Sequence, residues 1–189
     1  MKALPVKVLV AGVGDVLLSD DGFGVEVARR LARDPLPGGV RAIEFGARAA
    51  RLAAHLLHGC ELLVLIDTVQ RGGEPGTLYV IESDGTRAVH RSGAVRAPGG
   101  FSPPAVPRPS PATGEAAMGG AEESLDAVVA VFRSLGGDIA RIIVVACEPT
   151  DVSAGVGLTV PVARAVDDAV VIVRELLVAA MEETPGQAG

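Results

Sequence analysis

Val6-Lys-Val-Leu-Val-Ala-Gly-Val-Gly-Asp-Val-Leu-Leu-Ser-Asp-Asp-Gly-Phe-Gly24 decides the reading of this chain. The apolar run Val6–Ala11 has the pattern of a strand covered on both faces, as in the middle of a parallel sheet. Glycines at 12, 14, 22 and 24 then make a turn into a helix, where Phe23, Val27 and Leu31 fall at i, i+4 and i+8 on one apolar stripe. A glycine loop between strand and helix ordinarily cradles phosphate through bare backbone N–H groups. This one carries Asp15, Asp20 and Asp21, which repel phosphate and attract a cation.

Outward from that unit the pattern repeats. Val40–Phe45 reads as a second strand, and 47–57 as a helix stopped by Gly59. Glu61–Asp67 reads as a buried third strand, Thr77–Glu82 as a shorter fourth and Ala140–Cys147 as a fifth. Leu125, Val128, Val129 and Phe132 mark a helix ended by Gly136-Gly137, and 161–183 forms a long amphipathic helix with proline in its first turn. Strands alternating with helices give an α/β fold: a three-layer α/β/α sandwich with an about five-stranded, mostly parallel twisted sheet. Between 83 and 121, prolines at 98, 103, 104, 107, 109 and 111 leave no strand or helix. That stretch reads as a long surface insertion within one domain, a spacer or a flap carrying Arg91, Arg96 or Arg108. Residues 184–189 read as a frayed tail.

Composition narrows the function classes. The 189 residues suit one domain, and 49% hydrophobic content with a mean hydropathy of +0.40 indicates a well-packed core. A net charge of −6 and 3% aromatics argue against a nucleic-acid partner. Two cysteines in no paired motif, Cys60 and Cys147, suit a reducing cytoplasm. The start Met-Lys-Ala-Leu-Pro carries no leader pattern, and no apolar stretch is long enough to cross a membrane.

In open α/β sheets, ligands bind outside the carboxyl ends of the strands. Asp15, Asp20 and Asp21 follow strand one, Glu44 lies in strand two, Asp67 ends strand three and Glu148 follows strand five. Carboxylates gathered at one sheet edge call for a cation to neutralise them. Simpler roles remain open: Asp20 as a helix N-cap, Asp67 and Glu148 as ordinary loop acids, and Cys147 as a buried apolar thiol rather than a soft ligand or nucleophile. His55 and His58, three apart on one helix face, have a metal-binding spacing but no third ligand nearby, and His58 suits the helix dipole beside Gly59. No Gly-x-Ser-x-Gly or His-Glu-x-x-His motif is present. A dinucleotide-binding reading, with Glu44 on a ribose, would put its third glycine at Leu17, and the acids oppose it.

The pattern Gly12-x-Gly-Asp-x-Leu-x-x-Asp-Asp-Gly-x-Gly24 resembles the N-terminal signature of the nickel–iron hydrogenase maturation proteases, whose fourth position is usually Asn. Glu44-Phe-Gly-x-Arg48, the strand ending in Asp67, Gly76-Thr-Leu-Tyr79, Val145-Ala-Cys-Glu-Pro149 and Gly157-Leu-Thr-x-Pro161 follow in that family's order. The resemblance implies a three-layer α/β/α endopeptidase that removes a C-terminal extension from the hydrogenase large-subunit precursor after nickel insertion. It further implies that nickel, carried by the substrate, meets two acids, here Asp21 and Asp67, and a histidine. Where the histidine belongs, this chain has Gly120-Ala-Glu-Glu-Ser124. Glu122 or Glu123 takes its place, with Glu123 as the metal-ligand candidate, or His90 reaches in, or the third ligand is lost. Oxygen in place of imidazole moves the donor set toward harder cations. Glu44, Arg48 and Glu148 are the substrate-binding candidates. The implied protein is a cytoplasmic monomer, and a family member without its histidine would alternatively be a non-catalytic binding module for the precursor or a metallochaperone.

Overall fold

The computed structural model describes residues 8–47, 49–57, 59–83, 91–95 and 141–182. In chain order the elements are β1 (Val8–Val13), a 3-10 turn (Ser19–Gly22), α1 (Phe23–Leu31), β2 (Val40–Gly46), α2 (Ala49–Leu56), β3 (Leu62–Thr68), β4 (Leu78–Ser83), β5 (Arg91–Val95), β6 (Arg141–Cys147) and α3 (Val160–Glu182). They form one sheet in the order β2-β1-β3-β6-β4-β5. The β1–β2, β1–β3 and β3–β6 pairs are parallel, and β4 is antiparallel to both β6 and β5.

Alternation along the strands splits the core into two layers. Val8, Val10, Val64, Ile66, Ile143 and Val145 face α1 and α3, meeting Phe23, Val27, Leu31, Val166, Val173 and Leu177. Leu9, Ala11, Leu63, Leu65 and Val144 face the other way, onto Leu52, Ala53 and Leu56 of α2. Helices therefore cover both faces, as expected from the apolar strands. Phe23 is fully buried, so the α1 stripe is a core face, and burying that ring contributes about 1.5–3 kcal/mol. Glu26 in the first turn of α1 and Arg29 and Arg30 in its last complement the helix dipole.

The sheet has one strand more than expected. β5 lies inside the stretch read from sequence as free of regular structure, pairing with β4 from Leu78↔Val95 to Glu82↔Arg91. The prolines that suggested otherwise begin at 98, after the strand has ended, so its N–H groups are available to the ladder. The expected helix at 125–135, the rest of the insertion and the tail at 184–189 lie outside the described residues. No helix of the described residues is long and apolar enough to cross a membrane.

Candidate active site at the sheet switch point

β1 has β2 on one side and β3 on the other, so the chain leaves β1 in one direction and returns in the other. Such a switch opens a crevice at the carboxyl ends of the two strands. The glycine loop after β1 and Asp67 near the end of β3 both lie there.

The glycines of the loop serve close backbone packing. A Cβ on Gly24 would stand 2.2 Å from the Ile66 carbonyl oxygen and 2.4 Å from that of Val13, so α1 starts directly against β1 and β3. Gly14 has φ +116°, and a Cβ there would meet the Asp21 carbonyl at 1.9 Å. Between them Ser19 has φ +50°, the one positive φ at a non-glycine among the described residues. Its strain is held by two bonds to the 151–159 loop, from Ser19 N to the Gly155 carbonyl at 3.1 Å and from Gly155 N to the Leu17 carbonyl at 2.9 Å.

The 3-10 turn sends the adjacent aspartates to different partners. Asp20 is fully buried and accepts from Thr150 N (2.8 Å), Asp151 N (3.0 Å), Thr159 N (2.6 Å) and the Thr159 hydroxyl (2.9 Å). It is not the N-cap of α1: Gly22 holds that position and makes no side-chain cap bond. Asp20 instead ties the loop after β6 to the loop after β1. Asp21, half-buried, accepts from Asp15 N at 2.6 Å and from the Thr68 hydroxyl at 3.2 Å. Asp15 holds its own loop by accepting from Leu17 N at 2.9 Å.

Asp67 accepts from Thr68 N at 2.7 Å through Oδ1. Thr68 thus donates to both carboxylates that the family resemblance singles out, through its hydroxyl to Asp21 and its amide to Asp67. Donors of this kind orient carboxylates. Asp67 is 2% exposed whereas Asp21 is half-buried, so the pair does not line one open pocket. Thr68 was missed from sequence, although a hydroxyl residue directly after a strand-end acid is the available signal.

Glu148, a substrate-contact candidate, turns inward. It is buried and accepts from Arg71 N and Gly72 N, each at 3.0 Å, and from the Tyr79 hydroxyl at 3.0 Å. Burial first, then the hydrogen bond to Glu148 and after it the Glu148 charge, push the Tyr79 phenol up to about 12. Burial, then the charges of Asp20 and Glu148, likewise push the Cys147 thiol up to about 12, which makes it an inert core group. The oxygens of two of the gathered acids, Asp20 and Glu148, are therefore taken up by N–H and O–H donors of the fold.

Glu44 is exposed and paired with Arg29. Both line a cleft of about 390 Å³ with Gly14, Asp15, Phe45 and Arg51. Arg51 lies with its guanidinium carbon 5.9 Å from the Phe45 ring centroid. Beyond the loop, Val16, Leu17 and Leu18 are exposed, Leu17 at 62%, beside Val156 at 85%. Arg48, His58, His90, Glu122 and Glu123 lie outside the described residues. Among the described residues no three His, Cys, Asp or Glu side chains cluster as a metal site.

The family model for HycI, a hydrogenase maturation protease, matches residues 25–93. The hydrogenase expression/formation protein HupD of Rhodobacter capsulatus is 40% identical over 81 residues, 42% of this chain and 38% of that protein. A putative hydrogenase maturation protease of Methanocaldococcus jannaschii is 35% identical over 78 residues, 41% of this chain and 51% of that protein. The matched stretch is thus about two fifths to about half the length of these relatives. In fold, the hydrogenase maturating endopeptidase HybD of Escherichia coli superposes with a TM-score of 0.63 at 20% identity, over 94% of this chain and 93% of that one. A hydrogenase 2 maturation peptidase from a Thaumarchaeota archaeon does so at 0.59 and 24% identity, over 90% of this chain and 97% of that one. The chain is thus similar to the hydrogenase maturation proteases in sequence over residues 25–93, and shares their fold over most of its length.

Proposed function

We propose that this chain is an endopeptidase that trims the C-terminal extension of a nickel–iron hydrogenase large-subunit precursor, acting as a cytoplasmic monomer on nickel-loaded substrate. The observation that supports it most is the convergence of Asp21 and Asp67 on Thr68 at the crevice between β1 and β3. Asp21, half-buried at that crevice, offers oxygen donors to a metal ion arriving with the substrate, and the buried Asp67 is oriented through the same threonine. Such an ion polarises a scissile carbonyl or acidifies a water molecule, and a neighbouring carboxylate accepts the proton. The exposed apolar rim at 16–18 and 156 suits a macromolecular substrate, since such surface is costly to leave bare.

Mass spectrometry of a candidate precursor, with and without nickel, before and after incubation, tests the reading. Loss of a C-terminal peptide from the nickel-loaded form is the expected result. Asp21→Asn is expected to abolish that loss while the protein stays folded, and unimpaired cleavage by this variant would refute the assignment. A second reading draws on the sequence Gly120-Ala-Glu-Glu-Ser124, which has no histidine: a module that holds the precursor without cutting it. That reading expects a stable complex containing precursor of unchanged mass.

A further inference from the structure

The cleft beside the Asp21 loop contains a cation with no carboxylate partner among the described residues. Of the charged groups lining it, Arg29 and Glu44 pair with each other, and Asp15 accepts from Leu17 N. Arg51 is exposed, rests against the Phe45 ring, and has no carboxylate partner among the described residues. A guanidinium stacked on an aromatic face is preorganised, and its planar fork matches a carboxylate. Gly14 and Asp15 also line the cleft, and the Asp15 N–H is the group that fixes Asp21. A polypeptide seated here would have one end at Asp21 and an anionic group at Arg51. The positive charge matters because the surrounding loop carries Asp15, Asp20 and Asp21 in a chain of net charge −6, which would repel an acidic tail without such a foothold.

Building on the function proposed above, we propose that this cleft seats the precursor segment flanking the scissile bond and that Arg51 anchors it through a peptide carboxylate. The carboxylate is the chain terminus or an acidic side chain. Arg51 is a specificity-determining residue in this scheme and takes no part in bond breaking.

The test uses the full chain and a fluorescent synthetic peptide spanning the C-terminal extension of a candidate precursor, read by anisotropy. Wild type is expected to bind, with affinity falling as salt rises. Arg51→Gln is expected to lose about tenfold or more and to flatten the salt dependence, while Arg51→Lys recovers part of the loss. Amidating the peptide terminus reproduces the Arg51→Gln loss if the terminus is the anion; neutralising its acidic side chains does so if they are. In precursor processing, Arg51→Gln raises KM and leaves kcat near that of wild type. Equal peptide affinity for wild type and Arg51→Gln, or no binding by wild type, overturns the proposal. Arg51-dependent binding with uncut precursor would refute the endopeptidase reading alone, whereas equal trimming by both proteins would refute the anchor alone.

Discussion

Exchanging Asp20 and then Asp21 for Asn separates a carboxylate that holds two loops together from the one proposed above to serve the reaction. Asp20 is fully buried and receives three backbone N–H bonds and one hydroxyl bond across two loops. An Asn at 20 keeps one acceptor. With its oxygen toward Thr150 and Asp151, its amide faces the Thr159 N–H, donor against donor; flipped, it orphans the other two. Each orphaned buried group costs about 1–3 kcal/mol, so Asp20→Asn is expected to destabilise by about 2 kcal/mol and Asp20→Ala by about 3–5. For a chain of this size, 2 kcal/mol lowers the melting temperature by about 4–8 °C. At 21 the geometry permits the exchange, because an Asn oxygen can accept from Asp15 N while its amide donates to the Thr68 hydroxyl. Asp21→Asn should therefore melt within about 2 °C of wild type. Differential scanning calorimetry and urea titration measure both. An Asp20→Asn protein as stable as wild type, or an Asp21→Asn protein that loses more than Asp20→Asn, would refute this division of labour.

Two further outcomes follow from the same interior. Because Tyr79 titrates near 12 when folded and about 10 when unfolded, its contribution to stability is complete below about pH 10 and is lost as pH rises through 12. Tyr79→Phe should reduce the alkaline fall in urea midpoint and cost about 1–2 kcal/mol at neutral pH, where Glu148 loses a donor; an unchanged alkaline slope would count against the bond. Gly24→Ala forces a Cβ to within 2.2 Å of the Ile66 carbonyl oxygen, so α1 must leave the sheet, and the variant should be insoluble or destabilised by roughly 4 kcal/mol. Gly59→Ala is its control: with φ +92° and no atom within 4 Å, it should cost only about 1 kcal/mol, and equal melting temperatures would dismiss the packing argument.

The parts of this molecule legible in its sequence are those set by local pattern. β1, β3 and β6 are continuous apolar runs because each is covered on both faces, and α1 declares itself through Phe23, Val27 and Leu31. The placement of Asp21 and Asp67 at the crevice between β1 and β3 was legible because a strand end in a parallel sheet opens there wherever it falls. What escaped depends on distant partners. Nothing near Asp20 says that its oxygens belong to Thr150, Asp151 and Thr159, some 130 to 139 positions away. Nothing near Glu148 says that it closes the turn at Arg71 and Gly72. Prolines from 98 onward obscured β5, whose place is set by the backbone groups that β4 offers on that side.

Adjacent acids can therefore be inequivalent, and the backbone between strand and helix is what separates them. The 3-10 turn at Ser19–Gly22 directs residue 20 toward the loop after β6 and residue 21 toward β3. That turn begins at the strained Ser19, which costs of order 1–3 kcal/mol and persists because the bridge between Leu18 and Gly155 and the four bonds to Asp20 over-determine it. The orientation of Asp21 is consequently bound to an anchor on the far side of its own turn. Asp21 is thus held twice, by the bonds it accepts from Asp15 N and the Thr68 hydroxyl and by the turn that its neighbour anchors.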